Sequence, residues 1–411
     1  MSADPSPSPA YLRRLLLFLG LVAFFDGYDL FAISQTLPEL RRTFALTPAA
    51  GSRLLALANL GTIAAYLMVR LADRWGRRPV LTLCLVGYSG ASLLSGVAPS
   101  SGVFLVGQIA VRLFLISALA LAVLYATEEF PAERRGRTIA LIQACFSVGA
   151  IGCAAVTPRL LQTGLGWRAV YLFGASSIGL LLFAARGLRE TGRFLRTAQR
   201  PAHRPPLLPQ LPRAPHRKRV LQLASVWLVT FLCNQSAVVF WKEYAQAERG
   251  LSSQRIGAWM ALAAVGALPL VVLAGRLIDG LGRRRAAVVI YGLTALGVLG
   301  AYTQVPEPLL PGAMLLLIGG MAAAVTLLST WTAESFPTAL RGDCFGWANS
   351  LLGRLGFVLA PLLVAELVPA LGWRRTLLLS AAFPAVALLL ILWWLPETAG
   401  SELDAATAPE A

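Results

Sequence analysis

Apolar runs of about twenty residues, separated by short Arg-rich or Gly/Pro-rich breaks, recur along the whole of this 411-residue chain. A helical run of that length matches the hydrocarbon thickness of a bilayer, and in lipid a helix satisfies every backbone N–H and C=O inside its own segment. Twelve helices are expected, near 14–35, 52–69, 79–98, 102–126, 138–158 and 168–187, then 220–241, 256–274, 286–303, 309–333, 344–366 and 375–395. With 57% hydrophobic and 14% charged residues, the chain lies well outside soluble usage of roughly 45–50% and 25%. It reads as an all-α membrane protein.

The formal charge of +16 would suggest nucleic acid as a partner in a soluble protein. Here it follows the positive-inside rule. With both termini placed in the cytoplasm, inside segments hold 24 of the 36 Lys and Arg and outside loops hold 10, leaving Arg112 and Arg354 within helices. Residues 188–219, rich in Pro and Arg and without apolar periodicity, read as an exposed basic linker. The expected layout is therefore an N-terminal six-helix bundle (1–187), the linker, a C-terminal six-helix bundle (220–396) and a cytoplasmic tail (397–411), in a bacterial inner (plasma) membrane.

An internal repeat supports the two bundles. Asp73-Arg74-Trp75-Gly76-Arg77-Arg78 returns as Asp279-Gly280-Leu281-Gly282-Arg283-Arg284, a shift of 206 residues. Glu128, Pro131, Arg135 and Gly136 return at the same shift as Glu334, Pro337, Arg341 and Gly342, and Gly166-Trp167-Arg168 as Gly372-Trp373-Arg374. Duplication of a helical unit is how many secondary transporters are built.

With these loop motifs after helices 2 and 4 of each half, the chain resembles the major facilitator superfamily over essentially its full length. The Asp26-Gly27-Tyr28-Asp29 stretch of the first helix is similar to that of its aromatic acid and proton symporters. The resemblance implies pseudo-symmetric bundles with helices 1, 4, 7 and 10 lining a central cavity. It also implies a cytoplasmic charge network of Asp73, Arg77, Arg78, Glu128, Arg135, Asp279, Arg283, Arg284, Glu334 and Arg341 that holds one face closed and acts as a gate.

Asp26 and Asp29 are the costliest residues in the first run, since a charge at mid-bilayer depth costs about 2.5–3.5 kcal/mol on insertion scales. At i and i+3 they share one helix face. Two such carboxylates cannot both stay ionised cheaply, so at least one is suited to binding and releasing a proton. Asp29 is the first choice, and permanent pairing with a cation is the structural alternative. Arg112 in helix 4 can serve as counter-ion to the acids or dock a substrate carboxylate in a bidentate fork. The repeat maps Asp29 onto Gln235, so Asn234 and Gln235 are expected to position substrate without titrating, or else to bond helix to helix. Tyr28 and Trp331 are candidates for an aromatic substrate wall, while Arg354 reads as a gate residue.

Other chemistries lack residues. The five Cys and two His show no metal-ligand spacing, there is no phosphate-binding GxxxxGK[ST] loop, and no nucleophile, base and orienter set appears. No enzyme, metal or cofactor is expected. The sequence points to alternating-access symport of protons with a small organic anion, an aromatic carboxylate first. Proton-driven efflux of a drug or metabolite, and sugar or polyol uptake, are the alternatives.

Overall fold

The computed structural model describes residues 8–179, 187–192, 194–195, 216–337 and 340–398; the side chains of 132, 133, 135 and 136 are also outside the described set. Most of the expected linker (188–219) and tail (397–411), and the end of the sixth expected helix, thus lie outside the described residues. All regular structure among the described residues is helical.

The first half contains α1 (Pro9–Thr43), α2 (Pro48–Ala58), α3 (Leu60–Trp75), α4 (Arg77–Gly96), α5 (Ser101–Glu129), α6 (Ala132–Leu160) and α7 (Trp167–Ala175). The second contains α8 (His216–Cys233), α9 (Trp241–Ala247), α10 (Ser253–Leu281), α11 (Arg283–Tyr302), α12 (Leu310–Glu334), α13 (Arg341–Phe345), α14 (Leu355–Leu378) and α15 (Ala382–Trp394). Starts are set by local chemistry. Thr47, Ser100 and Ser252 accept the N–H of Ala50, Val103 and Arg255, satisfying donors that the first helical turn leaves open.

Among the described residues, ten helical stretches are long and apolar enough to cross a membrane. One of them, Arg341–Trp394, is 54 residues long and is broken at Gly372, whose φ is +77°; two expected spans fall within it. Large aliphatic side chains such as Leu262, Val272 and Leu389 are more than 60% exposed. Lipid tails cover such faces at no cost that water would spare.

The chain forms two compact units, residues 1–33 with 60–208 and residues 34–59 with 209–411. Within the second unit, specific contacts tie residues 34–59 to the later part of the chain. Arg41 pairs with Glu243 at 2.5 Å and Arg53 with Glu366 at 2.7 Å, and Asn59 donates to the Phe357 carbonyl at 2.7 Å. In the first unit, Phe18, Leu19, Leu81, Leu121 and Tyr125 form the apolar core. In the second, Trp227, Ile290, Tyr291, Leu327 and Trp331 do so.

Two helix contacts of the first unit depend on missing side chains. A Cβ on Gly27 in α1 would overlap the Phe146 carbonyl of α6, and one on Gly149 in α6 would overlap the Phe24 carbonyl of α1. This reciprocal approach of backbones is the small-residue packing that joins helices in lipid. Gly149→Val should therefore abolish recovery of monodisperse protein on size exclusion, whereas Gly90→Ala, with nothing within 4 Å of the new Cβ, should be recovered like the wild type.

Ala45 is the non-glycine residue with positive φ, +52°. It follows α1 where Leu46 N–H bonds back to the Arg41 carbonyl at 2.9 Å, a helix-ending turn that glycine usually occupies. An alanine there costs about 1–2 kcal/mol, part of which glycine returns as backbone entropy. Ala45→Gly should stabilise the protein by about 0.5–1 kcal/mol, read as a higher thermal midpoint in detergent.

Candidate functional site

The most polar interior of the first unit is built by five helices. α1 contributes Asp26 and Asp29, 4% and 2% exposed, and α5 contributes Arg112, 4% exposed. α3 comes close enough to α5 that a Cβ on Gly61 would touch the Arg112 Cβ, so α3 fixes where the arginine stem starts. α4 and α7 close the other side. A Cβ on Gly174 would lie 2.7 Å from Ser92 Oγ, 3.0 Å from Tyr88 Oη and 3.4 Å from Asp29 Oδ1. Three oxygens thus converge on one glycine that has no side chain to displace them.

Asp29 Oδ1, Tyr88 Oη and Arg112 Nε are buried without a hydrogen-bond partner among the described residues. Buried polar groups are normally satisfied, so a cluster of three with capacity to spare marks a place where a proton or ligand group can be taken up. Gln108, the other polar residue at this level of α5, donates to Ser95 at 3.0 Å.

Tyr28 does not extend this cluster as an open aromatic wall. Its hydroxyl donates to the Val170 carbonyl at 3.1 Å, its ring centroid lies 4.9 Å from that of Phe173, and it is 1% exposed. Trp331 likewise is fully buried in the core of the second unit. In this structure both rings are buried, and the indole Nε1 of Trp331 has no hydrogen-bond partner among the described residues.

In the second unit, Asn234 and Gln235 begin a π-helical segment, Asn234–Val238, that interrupts the seventh membrane run. A second such segment, Gly346–Gly353, carries Asn349 and ends at Arg354, which is partly buried. Widened turns of this kind are frequent at functional sites, since they displace side chains that a regular helix would place elsewhere. The repeat partner of Asp29 therefore sits on irregular helix, while Asp29 itself lies within α1.

The repeated loop residues form two matching networks, each closed within its own unit. Arg77 pairs with Asp73 at 3.1 Å and Glu128 at 3.3 Å; Arg283 pairs with Asp279 at 3.9 Å and Glu334 at 2.6 Å. Gly76 and Gly282, with φ of +104° and +82°, shape the turn before each arginine. The backbone N–H groups of Arg77 and Arg78 donate to Glu190, and those of Arg283 and Arg284 to Glu397, all at 2.8–3.0 Å. Thr191 and Thr398 complete the sets by donating to Glu128 at 2.5 Å and Glu334 at 2.7 Å. Arg341 approaches the Phe336 carbonyl at 3.5 Å, and the side chain of Arg135 lies outside the described residues.

Sequence reasoning missed Glu190, Thr191, Glu397 and Thr398. Their signal was the Glu-Thr pair itself, repeated at 207 rather than 206 residues. Tyr88, Ser92 and Gly174 were also missed.

The family model of the Major Facilitator Superfamily matches residues 19–350 and 223–410. The chain is 25% identical over 431 residues to the niacin transporter NiaP of Acinetobacter baylyi, covering 97% of each. It is 25% identical over 419 residues to the gallate transporter of Pseudomonas putida, covering 93% of this chain and 92% of that one. Among solved structures, the xylose transporter XylE from E. coli superposes with a TM-score of 0.76 at 19% identity, covering 95% of this chain and 98% of that one.

Proposed function

Because this chain belongs to the Major Facilitator Superfamily, and is thus a multi-pass membrane transporter and not an enzyme, we propose that it carries a small organic anion together with protons. An aromatic carboxylate is the first candidate. Twelve membrane helices in two bundles alternate access to the site, with both termini in the cytoplasm. The observation that carries this reading is the burial of Asp26, Asp29 and Arg112 in one unit, with Asp29 Oδ1 and Arg112 Nε left without a hydrogen-bond partner among the described residues.

The chemistry follows from that arrangement. While Asp29 is ionised it neutralises Arg112, and the arginine has little attraction to spare for a substrate. Protonation of Asp29 releases the guanidinium, which then takes the substrate carboxylate in its fork. Proton and anion thereby enter together, and the loaded site carries less uncompensated charge through occlusion. Asp26 adds a second carboxylate that makes ionisation of both acids more costly. Asn234 and Gln235 orient the bound anion through neutral amides. The networks around Arg77 and Arg283 keep the loop between helices 2 and 3 of each half rigid, so that each half moves as one body, and Arg354 acts as a gate.

Two curated relatives are named for ring carboxylic acids, niacin and gallic acid, which supports a ring-bearing anion over an aliphatic one. The experiment is uptake by proteoliposomes across an imposed pH gradient, offering hydroxybenzoates, aliphatic acids and sugars. Accumulation of a hydroxybenzoate is expected. Uptake of a sugar with refusal of every carboxylate would replace this substrate class by the sugar or polyol alternative, and expulsion driven by the gradient would indicate efflux.

A further inference from the structure

Within the second unit, the end of α1 and the helix α9 line an open cavity of about 440 Å³ bounded by Arg41, Arg42, Glu243, Gln246 and Ala247 among others. Its polar groups are only half used. Arg41 Nη1 meets Glu243 Oε2 at 2.5 Å, but Arg41 Nε and Glu243 Oε1 are buried without a hydrogen-bond partner among the described residues. Gln246 donates through Nε2 to Ser253 at 2.7 Å and leaves its Oε1 in the same condition. The Glu243 side chain is 4% exposed, so water in bulk does not satisfy it. Lys242, next in the chain, does not supply the missing donor: its ammonium is taken by the Gln35 carbonyl and by Glu39 at 3.2 Å.

We propose that this cavity is a second binding site, for a small carboxylic acid that also bears a hydroxyl or a protonated nitrogen. The carboxylate takes the open edge of Arg41 through Nε, helped by the Arg42 charge. The donor at the other end of the ligand satisfies Glu243 Oε1 and Gln246 Oε1. An acid without a donor leaves the Glu243 oxygen unpaired beside a second negative charge, so the cavity selects donor-bearing acids over bare ones. The site belongs to the second unit, whereas Asp29 and Arg112 belong to the first. Its ligand class rests on the anion-transport reading, and its role is to hold the same anions at the protein for uptake.

The test is equilibrium binding of radiolabelled 4-hydroxybenzoate, and separately of benzoate, to the purified full-length protein. Wild type is expected to bind two equivalents of 4-hydroxybenzoate per chain but one of benzoate at the same concentration. Arg41→Gln should reduce the hydroxybenzoate count to one. Ala247→Trp, at an exposed wall position, should do the same by filling the cavity with every charge left in place, and both variants should raise the KM for uptake by about tenfold. Wild-type stoichiometry and KM in both variants, or equal counts for the two probes, would overturn the site. If Arg41-dependent binding is found but the acid never accumulates in proteoliposomes, the site stands and the transport reading falls.

Discussion

Asp29→Asn is expected to abolish proton-driven accumulation of substrate while leaving exchange of labelled for unlabelled substrate across the membrane. The amide cannot titrate, so it permanently mimics the protonated acid and leaves Arg112 free to hold the anion. The loaded protein can still alternate, because the step that needs a proton to leave has been removed from the cycle only in its net direction. Asp26→Asn keeps the Asp29–Arg112 pair and should reduce accumulation less. Counterflow and pH-driven uptake, measured on the same vesicles, separate the two. Wild-type accumulation by Asp29→Asn would remove Asp29 from proton coupling. Loss of both accumulation and exchange would assign it a structural role.

Arg112→Gln is expected to have the largest effect on the folded protein. Removing one of two opposite charges that share a buried interior leaves the other uncompensated, which costs up to about 3–5 kcal/mol, and Arg112 and Asp29 are 4% and 2% exposed. Uptake should fall by at least about 100-fold, since the substrate carboxylate loses its only charged partner in the first unit's cluster. Combining Arg112→Gln with Asp29→Asn should recover most of the lost stability without recovering uptake, because the orphaned carboxylate is then neutral. Thermal midpoints of the two single variants and the double variant form the cycle. Additive losses would show that the two side chains do not interact in the folded protein.

Asp29 and Arg112 were legible in the sequence because charge inside an apolar run is expensive wherever the run goes. The repeated turns were legible for a different reason: Gly76 and Gly282, and Gly166 and Gly372, all have positive φ, and such backbone demands keep their residue types at fixed offset. Glu190 and Glu397 meet the same demand from farther along the chain, where a one-residue difference in length breaks the 206-residue register. Tyr88 was not legible because a tyrosine in an apolar run has the same appearance whether it anchors at a headgroup or faces Asp29. For Tyr28 and Trp331 a sequence shows an aromatic ring but not that Val170 takes the Tyr28 hydroxyl or that a core surrounds Trp331. Arg41 and Glu243 stand at the ends of apolar runs, where charge is ordinarily a topology signal. Only the fold brings them within 2.5 Å of each other.

Proton coupling through Asp29 is tested most directly by following internal pH in proteoliposomes when 4-hydroxybenzoate is added outside without an imposed gradient. Wild-type vesicles should acidify faster than protein-free vesicles, which report passive entry of the neutral acid, and Asp29→Asn vesicles should match the protein-free rate while still exchanging label. Carrier-dependent hydroxybenzoate entry with no acidification beyond the protein-free rate, or acidification of Asp29→Asn vesicles at the wild-type rate, would contradict it.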